Sequence, residues 1–287
     1  MESKDIYTVA VIGAGTMGQG IAQVCAQAGY RTLLFDVNAE ILPKAVEAII
    51  KNLRVAVEKG KLTSVEWEAI QKRIAIVNQL TDVKADLIIE AVVEKLDVKQ
   101  KLFQELEIIN QGNAILATNT SSISVSKIAS ALSNPTNCIG LHFFNPAHVM
   151  KLVEIVSGDL TDSKLFEILK NFSKRLGKIS VVAKDSPGFI VNRVARHFYL
   201  ESLKLLEQEI TNVDSMDKLL RSAGFKMGPF ELMDLIGIDI NLAVTTSVYE
   251  GFHRDEKFHP NKIQQQKVDA GHLGRKTGKG FYEYAKN

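Results

Sequence analysis

Two residues of this chain are of the types that move protons, and each sits in an apolar run that would bury it. His142 follows Gly140-Leu141 and precedes Phe143-Phe144-Asn145-Pro146, and Glu154 stands inside Lys151-Leu152-Val153-Glu154-Ile155-Val156. A carboxylate within such a strand needs a partner, because an unpaired buried charge is expensive. An imidazole suits it. A glutamate accepting from one ring nitrogen fixes the tautomer and raises the basicity of the other, which then takes a proton from an alcohol. A second polar group, Asn119-Thr120-Ser121-Ser122, also follows an apolar run. By residue type alone the His–Glu pair reads equally as a structural contact, and Ser121 reads as the N-cap of a helix. Alcohol oxidation needs a hydride acceptor beside the base, so the pair means chemistry only if the chain also holds one.

The opening of the chain supplies a site for such an acceptor. An apolar run over residues 6–12 feeds into Gly13-Ala14-Gly15-Thr16-Met17-Gly18 and then into a helical stretch over about 17–28. Gly13 permits a tight turn, Gly15 leaves room for a pyrophosphate against the backbone, and Gly18 lets the helix pack close to the strand. The N–H groups of the first helical turn, around Thr16 and Met17, face the phosphates. A second apolar run, residues 32–35, ends in Asp36, at the distance from Gly13, roughly 20 residues, where a carboxylate accepts the ribose hydroxyls. Asp36 would repel a 2′-phosphate, and Val37 and Asn38 offer no cation to one, so the cofactor expected is NAD rather than NADP, with Arg31 the nearest contrary charge.

The elements that must position these residues alternate. Helical patterns over 39–59 and around 66–70, 97–109, 124–132 and 163–176 are interleaved with short apolar strands at 74–77, 87–92, 114–117, 138–142, 152–156 and 179–183. This is the pattern of an α/β, Rossmann-type doubly wound sheet, parallel at least through its first half. Near Asp185-Ser186-Pro187-Gly188 it changes to helical periodicities at 188–208, 213–223, 230–249 and 261–270. Two domains are therefore expected: 1–185, dinucleotide-binding, and 186–287, mainly helical. Asn192 falls just inside the first helix of the second. Phe230, Leu232, Met233, Leu235, Ile236, Ile238, Ile240 and Leu242 crowd one segment too densely for a single buried stripe, which fits either a helix buried on all sides or a homodimer contact.

Thirty-five basic and 33 acidic residues give a formal net charge of +2, so no global field recruits nucleic acid or an anionic membrane. Cys25 and Cys138 read as small apolar fillers in a reducing compartment, with a disulfide left open. The first residues have neither a signal-peptide core nor an Arg-rich leader, and no apolar run reaches the length of a membrane span. A cytoplasmic protein is expected, without a metal.

Several motifs occur in fixed order: VIGAGTMGQGIAQ from Val11, ATNTSS from Ala117, GLHFFNP from Gly140, MKLVEIV from Met150, KDSPGFIVNR from Lys184, GPFELMDLIGID from Gly228 and GRKTGKGFYEY from Gly274. Through nearly its whole length the chain resembles the L-3-hydroxyacyl-CoA dehydrogenases, above all their short bacterial members, the 3-hydroxybutyryl-CoA dehydrogenases. The resemblance implies NAD as cofactor and an acyl-CoA as substrate. It implies His142 as catalytic base, Glu154 as the residue orienting it, and Ser121 and Asn192 as hydrogen-bond donors to the reacting oxygen. It assigns Glu94 and Lys99 to the nicotinamide half of the cofactor, Asn119 to both cofactor and substrate, and Asp36 to the ribose. A site using both His142 and Asn192 lies in the cleft between domains.

The charged excursion after Asp36 carries Lys44, Lys51, Arg54, Lys59, Lys61, Lys72 and Arg73. By pattern it is a solvated face. By resemblance it helps bind the phosphorylated adenosine end of coenzyme A, with Lys59 the best match, and the second domain forms a homodimer. The chain departs from the family pattern at Ala147-His148-Val149, where many relatives have a further proline and small apolar residues; this bears on acyl length rather than on the reaction. Two rival expectations remain: a gulonate 3-dehydrogenase type acting on free hydroxy acids, and a non-catalytic dinucleotide-binding protein like the related lens crystallins.

Overall fold

In a computed structural model, which describes residues 5–285, the chain divides into two compact units after Ser186. The first begins β1 (Thr8–Ile12), α1 (Thr16–Gln27), β2 (Arg31–Phe35), α2 (Ile41–Glu58), α3 (Ser64–Lys72), β3 (Ile74–Val77), β4 (Leu87–Glu90) and α4 (Leu96–Ile109). It continues β5 (Ile115–Thr118), α5 (Val125–Ala129), β6 (Cys138–Phe143), β7 (Leu152–Ser157), α6 (Lys164–Arg175) and β8 (Ile179–Lys184). The strands form one sheet in the order β3-β2-β1-β4-β5-β6-β7-β8. The first six are parallel and have the order of a dinucleotide-binding sheet, with the chain reversing direction across the sheet between β1 and β4. β1, β4 and β5 read as near-continuous apolar runs because helices cover both faces of a parallel sheet. The antiparallel pairing of β6 with β7 departs from the rest and sets His142 opposite Glu154 in register.

The second unit is helical: α7 (Val191–Glu207), α8 (Val213–Ser222), α9 (Pro229–Ile236), α10 (Ile238–Gly251) and α11 (Lys262–Asp269). Its core joins Tyr199, Leu203, Met216, Phe230, Met233 and Ile238. The periodicity that predicts a helix from residue 188 meets Gly188 at φ +72° and Phe189 at φ +46°, left-handed positions that delay α7 to Val191. The single helix expected over 230–249 is two helices bent by 100°, because Gly237 stands between them at φ +105°. Its apolar pattern carries through the break since both helices bury residues, Phe230 and Met233 on one side, Ile238 and Leu242 on the other. Leu235, Ile236 and Ile240 at this corner are exposed. Among the described residues no single helix is long and apolar enough to cross a membrane.

The glycine-rich C-terminal motif folds onto two carboxylates. Asp234 accepts from the Phe281 and Tyr282 N–H groups and the Tyr284 hydroxyl, each at 2.9 Å. Asp217 accepts from the Phe230 and Glu231 N–H groups at 3.0 and 2.9 Å and from the Tyr282 hydroxyl at 2.8 Å. A Cβ on Gly280 would lie 2.0 Å from an Asp234 oxygen, so the tail reaches these acids only as glycine. Burial pushes the Asp217 carboxyl up despite its three donors. Both cysteines are buried free thiols.

Candidate active site

The loop after β1 has the shape its glycines suggest. Gly13 adopts φ +103°, and a Cβ there would meet the Ala91 carbonyl oxygen at 2.5 Å, so the loops after β1 and β4 touch where the sheet reverses. A Cβ on Gly18 would overlap the Gly13 carbonyl. One on Gly15 would meet nothing within 4 Å, leaving open space beside the N-terminus of α1. Gly15 is also the N-cap and supplies no side chain to the first-turn N–H groups of Thr16, Met17 and Gly18. These features fit a pyrophosphate: close packing behind the loop, space in front of it, and donors facing that space. Asp36 is held at the rim, one oxygen accepting from the Ala14 N–H at 2.7 Å and the other from the Asn38 N–H at 2.9 Å. Arg31 is a whole strand away, at the far end of β2.

His142 and Glu154 are 5% and 0% exposed, and Nδ1 lies 2.7 Å from a Glu154 oxygen. A carboxylate only accepts, so Nδ1 carries the proton of this bond, and Nε2 is the basic nitrogen of that tautomer. The ring also packs against Phe144, with centroids 4.6 Å apart. The connection from β6 to β7 contains a cis Asn145–Pro146 bond and is tied down by Lys178, whose Nζ donates to the carbonyls of Ala147 and Met150 at 2.5 and 2.6 Å. His148 is mostly exposed on this loop, and the partial desolvation of its ring together with the Lys178 charge holds the imidazole below its usual value.

Glu94 organises the segment after β5. One of its oxygens accepts from the Thr120 hydroxyl at 2.5 Å, the Ser121 and Ser122 N–H groups at 3.1 and 3.2 Å, and the Ser122 hydroxyl at 2.9 Å. The other lies 3.1 Å from Lys99 Nζ. Burial works to raise the Glu94 carboxyl, but the Lys99 charge and the hydrogen bonds from Thr120, Lys99 and Ser122 outweigh it and hold the group below its ordinary value. Asn119 stitches this segment to the histidine strand. Its N–H donates to the Glu90 carbonyl at 2.8 Å, and its side-chain oxygen accepts from Phe143 N–H at 2.8 Å, one residue past His142. The cap of α5 is Ser124, which accepts from the Lys127 N–H. Ser121, read as a cap by residue type, instead sits in the turn that Glu94 gathers.

Lys99 is 1% exposed, and its ammonium lies between Glu90 at 2.6 Å and Glu94 at 3.1 Å. It lies beneath the site rather than lining its surface. Glu90 and Thr118 take part in this network without a role read from the sequence, and Thr120 and Ser122 belong to it as part of the polar group at 119–122. Glu90 offered the same signal as Glu154, an acid in an otherwise apolar strand. Lys59 is exposed at the C-cap of α2, where a cation also suits the helix dipole, and it stands apart from both networks. Asn192 belongs to the second unit, in the first turn of α7, where its carbonyl accepts from Arg196 Nε at 3.1 Å.

Residues 8–186 match the family described as 3-hydroxyacyl-CoA dehydrogenase, NAD binding domain, and residues 188–284 match the corresponding C-terminal domain. The chain is 46% identical to the 3-hydroxyadipyl-CoA dehydrogenase of Escherichia coli K12 over 98% of its own length, but it spans only 59% of that relative. It is 41% identical to a 3-hydroxybutyryl-CoA dehydrogenase of Bradyrhizobium diazoefficiens, covering 97% of this chain and 96% of the relative. The crystal structure of (S)-3-hydroxybutyryl-CoA dehydrogenase from Ralstonia eutropha superposes with a TM-score of 0.94 at 38% identity, covering 98% of this chain and all of that one. With both halves matched in order and relatives of equal length at this identity, the chain belongs to the 3-hydroxyacyl-CoA dehydrogenase family, and its first unit is the NAD-binding domain.

Proposed function

We propose that this protein interconverts a short-chain L-3-hydroxyacyl-CoA, 3-hydroxybutyryl-CoA foremost, with its 3-oxoacyl-CoA. NAD, when bound, supplies the acceptor for the hydride that leaves C3. His142 takes the hydroxyl proton through Nε2, and Glu154 stabilises the imidazolium that forms. Ser121 and Asn192 donate to the reacting oxygen and hold the developing carbonyl. The 13–18 loop cradles the pyrophosphate, Asp36 accepts the adenosine ribose hydroxyls, and Glu94 and Asn119 face the nicotinamide half. Lys99 contributes through Glu94. Lys59 reaches the phosphorylated end of coenzyme A, for which a mobile exposed ammonium is well suited.

The observation that carries this reading is the 2.7 Å contact between His142 and a fully buried Glu154, set face to face by strand register in the domain that binds the hydride acceptor. The protein works in the cytoplasm as a homodimer through its second unit, a reading supported by the exposed Leu235, Ile236 and Ile240 at the α9–α10 corner. The test follows NADH absorbance, as NADH is consumed with acetoacetyl-CoA, 3-oxoadipyl-CoA or free acetoacetate and as it is formed from NAD with free gulonate. Acetoacetyl-CoA is expected to give the highest kcat/KM, and NADPH to be the poorer cofactor. Turnover confined to the free acids, or absent from all four, overturns the proposal.

A further inference from the structure

Glu90 has no part in the proton and hydride steps, yet it reaches four pieces of the site. It ends β4 beside the point where the sheet reverses, and it is fully buried. One carboxylate oxygen takes Lys99 Nζ at 2.6 Å and the Val92 N–H at 2.8 Å, and the other takes the Thr118 hydroxyl at 2.7 Å. Its backbone carbonyl accepts from the Asn119 N–H at 2.8 Å. The Thr118 hydroxyl, engaged on Glu90, accepts in turn from the Thr120 N–H at 3.2 Å.

The charges explain why a carboxylate is needed there. Lys99 faces two acids and sits closer to Glu90 than to Glu94, 2.6 against 3.1 Å. Sharing the ammonium leaves Glu94 bound to Lys99 through one oxygen and to the donors of residues 120–122 through the other. With the Glu90 charge removed, a buried ammonium has a single counter-charge to answer and draws on Glu94 alone. The donors of the turn then lose the acceptor that orders them.

We propose that Glu90 is a positioning residue for the reaction, fixing Lys99 so that Glu94 keeps the 120–122 turn, and with it Ser121, in place. This rests on the reading of Ser121 as a donor to the reacting oxygen. Coupling of this kind is separable from plain structural support by a double-mutant cycle.

The experiment compares wild type, E90Q, E94Q and E90Q/E94Q in the full-length protein. E90Q removes the charge and one acceptor: its single oxygen can keep the Val92 N–H, while its NH2 faces the Thr118 hydroxyl, which can turn to accept from it. Its kcat with acetoacetyl-CoA is expected to fall about 10²-fold, the scale of a displacement of about 1 Å at a reacting group. In the E94Q background the same change should cost less than about twofold further. An equal cost in both backgrounds, or wild-type kcat in E90Q, overturns the proposal. Hydrogen exchange gives a readout free of turnover: the Ser121 and Ser122 amides should exchange about tenfold faster in E90Q, with the strand amides of β1 and β5 unchanged. If wild type lacks activity on acyl-CoA, the function assigned above fails while exchange still decides the role of Glu90, and unchanged exchange refutes it. Should E90Q not fold, E90Q/K99M removes both buried charges together and takes Lys99 from Glu94; the same loss of kcat and faster exchange are expected, and wild-type values refute it.

Discussion

Glu154 in the first unit and Asp234 in the second are both carboxylates withdrawn from water, 0% and 1% exposed, and both lie in segments dense with recognisable motifs. They differ in what donates to them. Asp234 gathers two backbone N–H groups and a tyrosine hydroxyl, donors whose protons stay where they are, and so fixes the end of the chain onto α9. Glu154 faces an imidazole, a ring with a second nitrogen able to bind a proton. In the proposed function its charge answers the imidazolium that forms when the hydroxyl proton is taken. Burial therefore leaves the two acids alike, whereas the chemistry of the donor tells them apart.

The comparison is broken most forcefully at the imidazole. H142Q is expected to lower kcat by about 10²–10⁴-fold, or roughly 3–5 kcal/mol in the barrier, with little change in thermal stability or NADH binding. E154Q should act in the same direction. Steady-state kinetics beside a melting curve check both, and near-wild-type turnover in either at neutral pH would sink the assignment. D234N should show the reverse, a loss of about 2–3 kcal/mol in the stability of the second unit, the scale of a charge-assisted hydrogen bond. Urea titration reads this as a lower midpoint, and an unchanged midpoint would mean that the C-terminal turn is not held by Asp234.

The smallest expected effect sharpens the comparison at an intermediate case, Glu94, which is 37% exposed and accepts from both kinds of donor. Its folded-state value is depressed, burial being outweighed by Lys99 and the hydrogen bonds. Its contribution to stability is thus fully present above its unfolded value and is lost as pH falls through the depressed folded one. Acidification through the carboxylate range should destabilise wild type more than E94Q, modestly because water screens the group. Equal acid sensitivity of the two proteins would remove Glu94 from the account.

The parts legible in the sequence are those where a local pattern and a tertiary demand coincide. Gly13 and Gly18 are required by contacts the backbone itself makes and Gly15 leaves open space before α1, and the apolar strands around His142 and Glu154 advertise a buried pair because each strand can hide only what the other satisfies. The break at Gly237 was hidden, since the helices on either side both bury apolar residues and a glycine inside such a run costs only about 1 kcal/mol by propensity. The pairing of Lys99 with Glu90 and Glu94 is hidden for a related reason. Which side of a helix a lysine occupies is visible from periodicity, but whether it meets water or two acids depends on what the neighbouring strand carries at its end. Ser121 and Ser124 differ by three positions in a serine-rich segment, and only the backbone path shows which one caps the helix.

The pairing of β6 with β7 has a consequence for redesign. Side chains alternate across a strand, so one residue inserted within β6 ahead of His142 would either slip the register or turn the ring to the opposite face of the sheet. Changes of residue are better accommodated at exposed positions beyond the paired residues, such as His148 and Val149, where the chain leaves the ladder and Lys178 holds it by the carbonyls of Ala147 and Met150; Ala147 itself is buried beside Gly20. Identity at those exposed positions is freer than length in the flanking strands, so a library aimed at this loop should vary His148 and Val149 and hold the strand residue count constant.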